Sequence, residues 1–193
     1  MEMKTSFEYK DRLFRMIFGR EENKENMLSL YNALNKTNYT NPDELEINTI
    51  DDVIYVGMKN DVSFILADYM NLWEQQSTYN PNMPLRGLMY FSKLYSAIVE
   101  SERINLYGTK LIKIPTPRYV VFYNGTAEML PESKLRLSEA FINEDKSGDF
   151  EGTATVININ PDNNNNLLDA CPALKDYMTL VCRIRETETA AWI

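Results

Sequence analysis

Apolar residues fall at Phe7, Phe14, Ile17 and Phe18, and again at Met27, Leu30, Tyr31 and Leu34, on either side of the charged stretch REENKEN. The i, i+3, i+4, i+7 spacing within each group predicts one or two amphipathic helices. The turn-forming run NKTNYTNPDE from Asn35 ends them, because Pro42 disfavours helix through the residue before it. The period then changes to that of extended chain. Residues 47–56 (INTIDDVIYV) are rich in β-branched side chains, residues 61–67 (DVSFILA) alternate Val62, Phe64 and Leu66 against Ser63, Ile65 and Ala67, and residues 70–76 (MNLWEQQ) read as a partner strand. Turns are expected at residues 57–60 and at Asp68-Tyr69.

Beyond the loop NPNMP, Pro84 suits a first helical turn, and Leu88, Phe91, Tyr95 and Ile98 mark an apolar stripe. A helix to about Glu100 is predicted, with Arg86, Tyr90 and Lys93 on its opposite face. Residues 118–123 (RYVVFY) form the most hydrophobic short run, bounded by a Pro-rich approach and by Asn124-Gly125. That is the pattern of a strand buried on both faces, best placed as a central parallel strand. A strand at residues 153–159, a polar loop at PDNNNN and a closing helix over residues 167–185 complete the reading. With no internal repeat and no linker, the order predicts an α/β fold in one domain spanning residues 1–193, with a mixed central sheet flanked by helices.

Composition changes this picture mainly by exclusion. At 193 residues and 44% hydrophobic content the chain can bury a proper core. A net charge of −8 disfavours sequence-independent attraction to polyanions, so any nucleic-acid contact must be local. The chain has no histidine, which removes Ser-His and Cys-His nucleophile pairs and His-ligated zinc. Cys171 and Cys182 do not form a spaced metal or disulfide framework and read as reduced thiols. Neither a signal-peptide core nor an apolar run of membrane-spanning length is present, so a soluble, cytoplasmic protein is expected, with no membrane partner.

Chemistry must therefore come from carboxylates, amides, Lys, Tyr or a hard cation. Glu74 and Gln76 in LWEQQ point to one face of their strand, and Trp73 and Gln75 to the other. A hairpin would return this strand beside the one beginning at Asp61, although chain separation does not set how near the two acids come. If they converge, a cation between them would relieve their repulsion, and oxygen ligands with retained waters suit Mg²⁺ or Mn²⁺. The bland alternative is two acids on a solvated strand surface.

The stretch WEQQSTYNPNMPLRGLMY, with YGTKLIKIPTPRYVVFYNG after it and DRLFRMIF and LYNALN before it, resembles the recombination-promoting (Rpn) nucleases, also described as PD-(D/E)XK nuclease family transposases. The resemblance covers most of residues 1–185 and implies a restriction-endonuclease-like core. It also implies a metal-dependent DNA endonuclease of mobile-element or phage-defence type, with Asp61, Glu74 and Gln76 as catalytic residues and Asp61 and Glu74 as ligands of Mg²⁺ or Mn²⁺. Gln76 stands where many members of the superfamily have Lys, so an amide that can only orient water or phosphate replaces an ammonium. Arg86, Tyr90 and Lys93 are the expected substrate contacts, their alternative being a solvated helix face with Tyr90 partly packed. Asp11 and Glu25 are the candidates for a further acid from the first helical region, if either joins the site; the alternative is that both are surface residues, as most acids there are. The chain stops at RETETAAWI, soon after the closing helix, where resembling proteins continue into a charged helical tail, and self-association is open. The competing expectation is a catalytically silent protein of the same fold that acts as a binding or regulatory partner.

Overall fold

The computed structural model describes residues 3–48 and 61–190; the side chains of residues 3–8 and 188–190 lie outside that description. The fold is α/β, with a six-stranded mixed open sheet between two helical layers. Helices α1 (Met3–Phe18) and α2 (Lys24–Asn35) come first, followed by the short strand β1 (Glu46–Ile47). Most of the strand expected at 47–56 and the turn at 57–60 lie outside the described residues. Strands β2 (Val62–Leu66) and β3 (Tyr69–Gln76) form an antiparallel hairpin, and α3 (Met83–Ser101) leads to β4 (Thr116–Tyr123). Strands β5 (Glu132–Arg136) and β6 (Thr153–Asn158) and helices α4 (Asn165–Ala170) and α5 (Pro172–Ala190) follow. The sheet order is β1-β2-β3-β4-β6-β5, and β4 runs parallel to both neighbours, as its unbroken apolar run predicts.

The hairpin sets the register on which the site depends. Leu66 pairs with Tyr69, so the turn is Ala67-Asp68 and not Asp68-Tyr69. Both turn residues take the left-handed conformation, with φ of 48° and 62°, which is the backbone of a two-residue turn matched to strand twist. A turn one residue later would place Asp61 across from Gln76. The observed turn pairs Val62 with Trp73 and thereby sets Asp61 across from Glu74.

Each face of the sheet has its own core. On one side Phe14 and Phe18 from α1, Met27 and Leu30 from α2 and Tyr177 and Val181 from α5 close over Phe64, Trp73 and Phe122. The aromatic rings meet at tilted or edge-on angles with centroids 4.7–5.7 Å apart. On the other side α3 covers Leu72, Tyr119, Val121 and Val156.

Beyond the turn, two expectations are corrected and one strand is added. The closing helix is two helices, because Pro172 has no N–H to donate and biases Cys171 to extended backbone. Strand β5 went unforeseen, since only Leu135 among its five residues is buried. The inward stripe of α3 is Met83, Pro84, Gly87, Tyr90 and Leu94, turned from the expected Leu88-Phe91-Tyr95-Ile98 stripe because a glycine occupies one inward position and a tyrosine another. At Gly87 an added Cβ would lie 2.6 Å from the Tyr119 ring. Gly87→Ala is therefore expected to destabilise the fold by about 1–3 kcal/mol through overpacking, despite the better helix propensity of Ala. Urea denaturation checks this, and an unchanged midpoint would mean that the Tyr119 ring shifts freely.

Candidate active site

The site lies at the C-terminal ends of the parallel strands β3 and β4, where the hairpin delivers Asp61. The register sets Asp61 across from Glu74 at the end of the β2–β3 ladder; Glu74 points toward α3, while the Asp61 carboxylate also stands 4.0 Å from Arg15 of α1. Asp61 Oδ2 accepts the Gln75 backbone N–H at 2.7 Å, which pins the carboxylate to the neighbouring strand. Glu74 is 1% exposed, and its Oε1 is enclosed without a hydrogen-bond partner. Its Oε2 takes a 2.5 Å hydrogen bond from Arg86 Nη2, which also donates to the Tyr90 hydroxyl at 3.2 Å.

The electrostatics follow from crowding acids where water is scarce. Burial raises the Glu74 carboxyl well above its usual range, and the Asp61 charge raises it further, against the pull of Arg86 and the Asp61 backbone amide. Burial also raises Asp61 to about 7; the Gln75 amide opposes this, Asp11 adds to it, and Arg15 and Arg86 oppose it. Burial is the largest single influence and works against the Arg86 charge, but the Glu74 carboxylate together with Tyr90 and Tyr119 outweighs it and holds Arg86 above its ordinary value. Tyr119, buried against the same cluster with its hydroxyl unpartnered, is raised first by burial and then by the Glu74 charge.

Of the two acids left open, it is Asp11 that stands within the field of this pair. Glu25 lines a groove of α2 with Asn32 and Tyr39 instead. Gln76 is half-buried one pleat beyond Glu74 and borders Thr78, Tyr79 and Met83. The α3 residues expected to touch substrate are turned inward: Arg86 is tied to Glu74, Tyr90 is 3% exposed, and the Lys93 ammonium is enclosed without a hydrogen-bond partner.

Sequence reasoning passed over the residues on the opposite face of β3. Gln75 is 1% exposed, and its hydrogen-bond network sets the orientation of its amide. The nitrogen donates to Asp11 Oδ1, and the oxygen accepts from Ser77 Oγ at 3.2 Å and Asn124 Nδ2 at 3.1 Å. Asn124 Nδ2 also reaches the buried Tyr177 hydroxyl at 2.8 Å. The backbone of Gln75 thus holds Asp61 and its side chain holds Asp11. A lone polar residue between Trp73 and the end of a strand was the available signal.

As donors, Asp61 and Glu74 offer hard carboxylate oxygens, one of them buried and unpartnered, which fits Mg²⁺ or Mn²⁺. Among the described residues no three His, Cys, Asp or Glu side chains enclose a cation by themselves, so waters and phosphate oxygens would complete the shell, as Mg²⁺ prefers. The chain matches no protein-family model, no curated protein and no solved structure.

Because both carboxyls have raised folded-state pKa values, the folded metal-free chain keeps protons that the unfolded chain has released. Stability then falls as pH rises from the ordinary Asp value of 3.8 to about 7. Asp61→Asn keeps an acceptor for the Gln75 amide and removes the charge, so at about pH 7.5 it should stabilise the metal-free protein by about 1–2 kcal/mol, and at about pH 4 by much less. Calorimetric melting at both pH values reads this directly. A lower melting temperature for the variant at the higher pH would mean that Arg15 and Arg86 already balance Asp61.

Proposed function

We propose that this protein is a divalent-metal-dependent nuclease with a restriction-endonuclease-like core, hydrolysing phosphodiesters in DNA in the manner of the recombination-promoting nucleases it resembles. The observation that carries the reading is the Asp61–Glu74 pair: two carboxylates opposed across one hairpin, with an enclosed Glu74 oxygen that has no partner. Such a pair costs stability in the metal-free chain and binds a hard cation with a gain that grows with that cost.

A Mg²⁺ or Mn²⁺ ion held here would polarise a phosphoryl oxygen and acidify water. The chain supplies the rest. Asp61 and Glu74 would hold the ion, the Gln75 amide keeps Asp61 aimed, and Gln76 would orient water or phosphate by hydrogen bonds. Arg86, bound to Glu74 with 32% of its side chain exposed, would be the guanidinium nearest a phosphate held at this pair.

A second reading rests on that same Arg86. At 2.5 Å from Glu74 it supplies a cation of its own, as in a silent member of the fold that keeps its architecture and binds a partner. The two readings separate by experiment. The nuclease reading expects Mn²⁺ to raise the melting temperature of the wild type, Glu74→Gln to abolish that rise, and plasmid cleavage to fall by at least about two orders of magnitude in Asp61→Ala, since a lost ligand removes several kcal/mol of charge stabilisation. Equal cleavage by wild type and Asp61→Ala would sink it; no cleavage together with no Mn²⁺ response would favour the silent protein.

A further inference from the structure

Beside Asp61, on the side away from α3, an open cleft of about 500 Å³ runs between α1 and β1. Arg12, Arg15 and Arg20 line it together with Met16 and Ile47, and Asp61 stands in its wall. The arrangement follows from the helix: Arg12, Arg15 and Met16 lie at i, i+3 and i+4 on one face of α1, and Gly19 ends the helix so that Arg20 joins them from the following bend.

These guanidinium groups are only lightly engaged. Arg15 Nε stands 4.0 Å from Asp61 Oδ1, and Arg20 pairs with Glu22 at 3.2 Å where both side chains are more than half exposed, an arrangement that contributes little. Arg12 is exposed and has no ion-pair partner among the described residues. Three cations thus share one cleft with a single carboxylate, in a chain whose net charge is −8.

We infer that this arginine-lined cleft is where the phosphodiester backbone of a nucleic-acid strand docks, leading it to Asp61. The inference rests on the nuclease reading for the meaning of Asp61, but its own basis is the cleft. Guanidinium forks recognise phosphate oxygens bidentately, and Arg15 beside Asp61 would place a bound phosphate next to the acidic pair. The cleft also answers a need created by α3, whose Arg86 is bound to Glu74 and whose Lys93 ammonium is enclosed. Another exposed basic group, Lys110, Lys113 and Arg118, precedes or begins β4 at its Thr116 end. Thr116 pairs with Tyr69 and Arg118 with Asn71, five and three residues along β3 from Glu74, so the start of β4 lies roughly 10–16 Å from Glu74 along the strand. This basic group serves as the internal control.

The test is fluorescence anisotropy of a short labelled DNA strand, its duplex and an RNA strand of the same sequence, titrated with the full chain in Ca²⁺ over a range of salt. The variant R12A/R15A/R20A should lose about tenfold or more in affinity, and its log–log salt slope should become shallower by about 2–3. The variant K110A/K113A/R118A, with the same change in net charge, should stay near wild type, and the Arg-to-Lys triple variant should retain the wild-type slope. Binding of DNA, RNA or both in this pattern supports the cleft and identifies the sugar it accepts. If the alanine triple variant melts early, the exposed single variants R12A and R20A carry the test. Wild-type affinity and slope in the arginine variant, a loss confined to the lysine-group variant, or no binding by the wild type overturns the inference. A Mn²⁺-induced melting shift without arginine-dependent binding removes the cleft and leaves the nuclease reading. Arginine-dependent binding without a Mn²⁺ shift does the reverse.

Discussion

A carboxylate enclosed at the end of a strand is costly unless cations or donors reach it, and the surroundings of Glu74 are organised around that cost. Arg86 approaches from α3, and Asp61 is drawn to the adjacent position by the Gln75 amide, adding a second negative charge. Asp11 contributes its field from α1. The result is an excess of negative charge held in place by covalent connectivity and strand pairing, which a fold tolerates only where most of the surrounding core is secure. Two apolar layers provide that security, one under α3 and one under α1, α2 and α5.

Strand β3 is where the two layers communicate. Its even-numbered residues Leu72, Glu74 and Gln76 face α3, while Trp73 and Gln75 face the opposite layer. Trp73 anchors an aromatic cluster, and Gln75 turns the same face polar one pleat later. The amides of Gln75 and Asn124 and the hydroxyl of Tyr177 satisfy one another in the interior, joining β3, the end of β4 and α5. The position of Asp11 relative to Asp61 therefore depends on the docking of α5, far along the chain.

Arg86 shows how one side chain can support two readings of a site. As a half-buried counter-ion it offsets the desolvation of Glu74, and losing it would leave the buried carboxyl without its counter-charge. As a partly exposed guanidinium at the margin of the acidic pair it is also the group that the nuclease reading proposes for phosphate. Its commitment to Glu74 leaves the attraction of a polyanion to other residues, and α1 with the bend that follows it carries three arginines on the cleft side of Asp61.

The sequence by itself determined what local periodicity and residue type control. The helical stripes of α1 and α2, the alternation of β2 and β3 and the apolar run of β4 specify the α/β order and the central parallel strand, because burial on one face or both leaves a readable period. The shared face of Glu74 and Gln76 was legible for the same reason. Tertiary structure alone decided the rest. A turn at Ala67-Asp68 instead of one residue later sets Asp61 opposite Glu74, a difference that strand alternation cannot show. The inward face of α3 escaped the apolar pattern because Gly87 packs by lacking a side chain and Tyr90 packs with its hydroxyl on Arg86. Strand β5 carries too little buried surface to leave a pattern, and the choice of Asp11 over Glu25 turns on which helix face meets the end of β3. Those outcomes come from contacts between residues distant in the chain, whose energies no local spacing records.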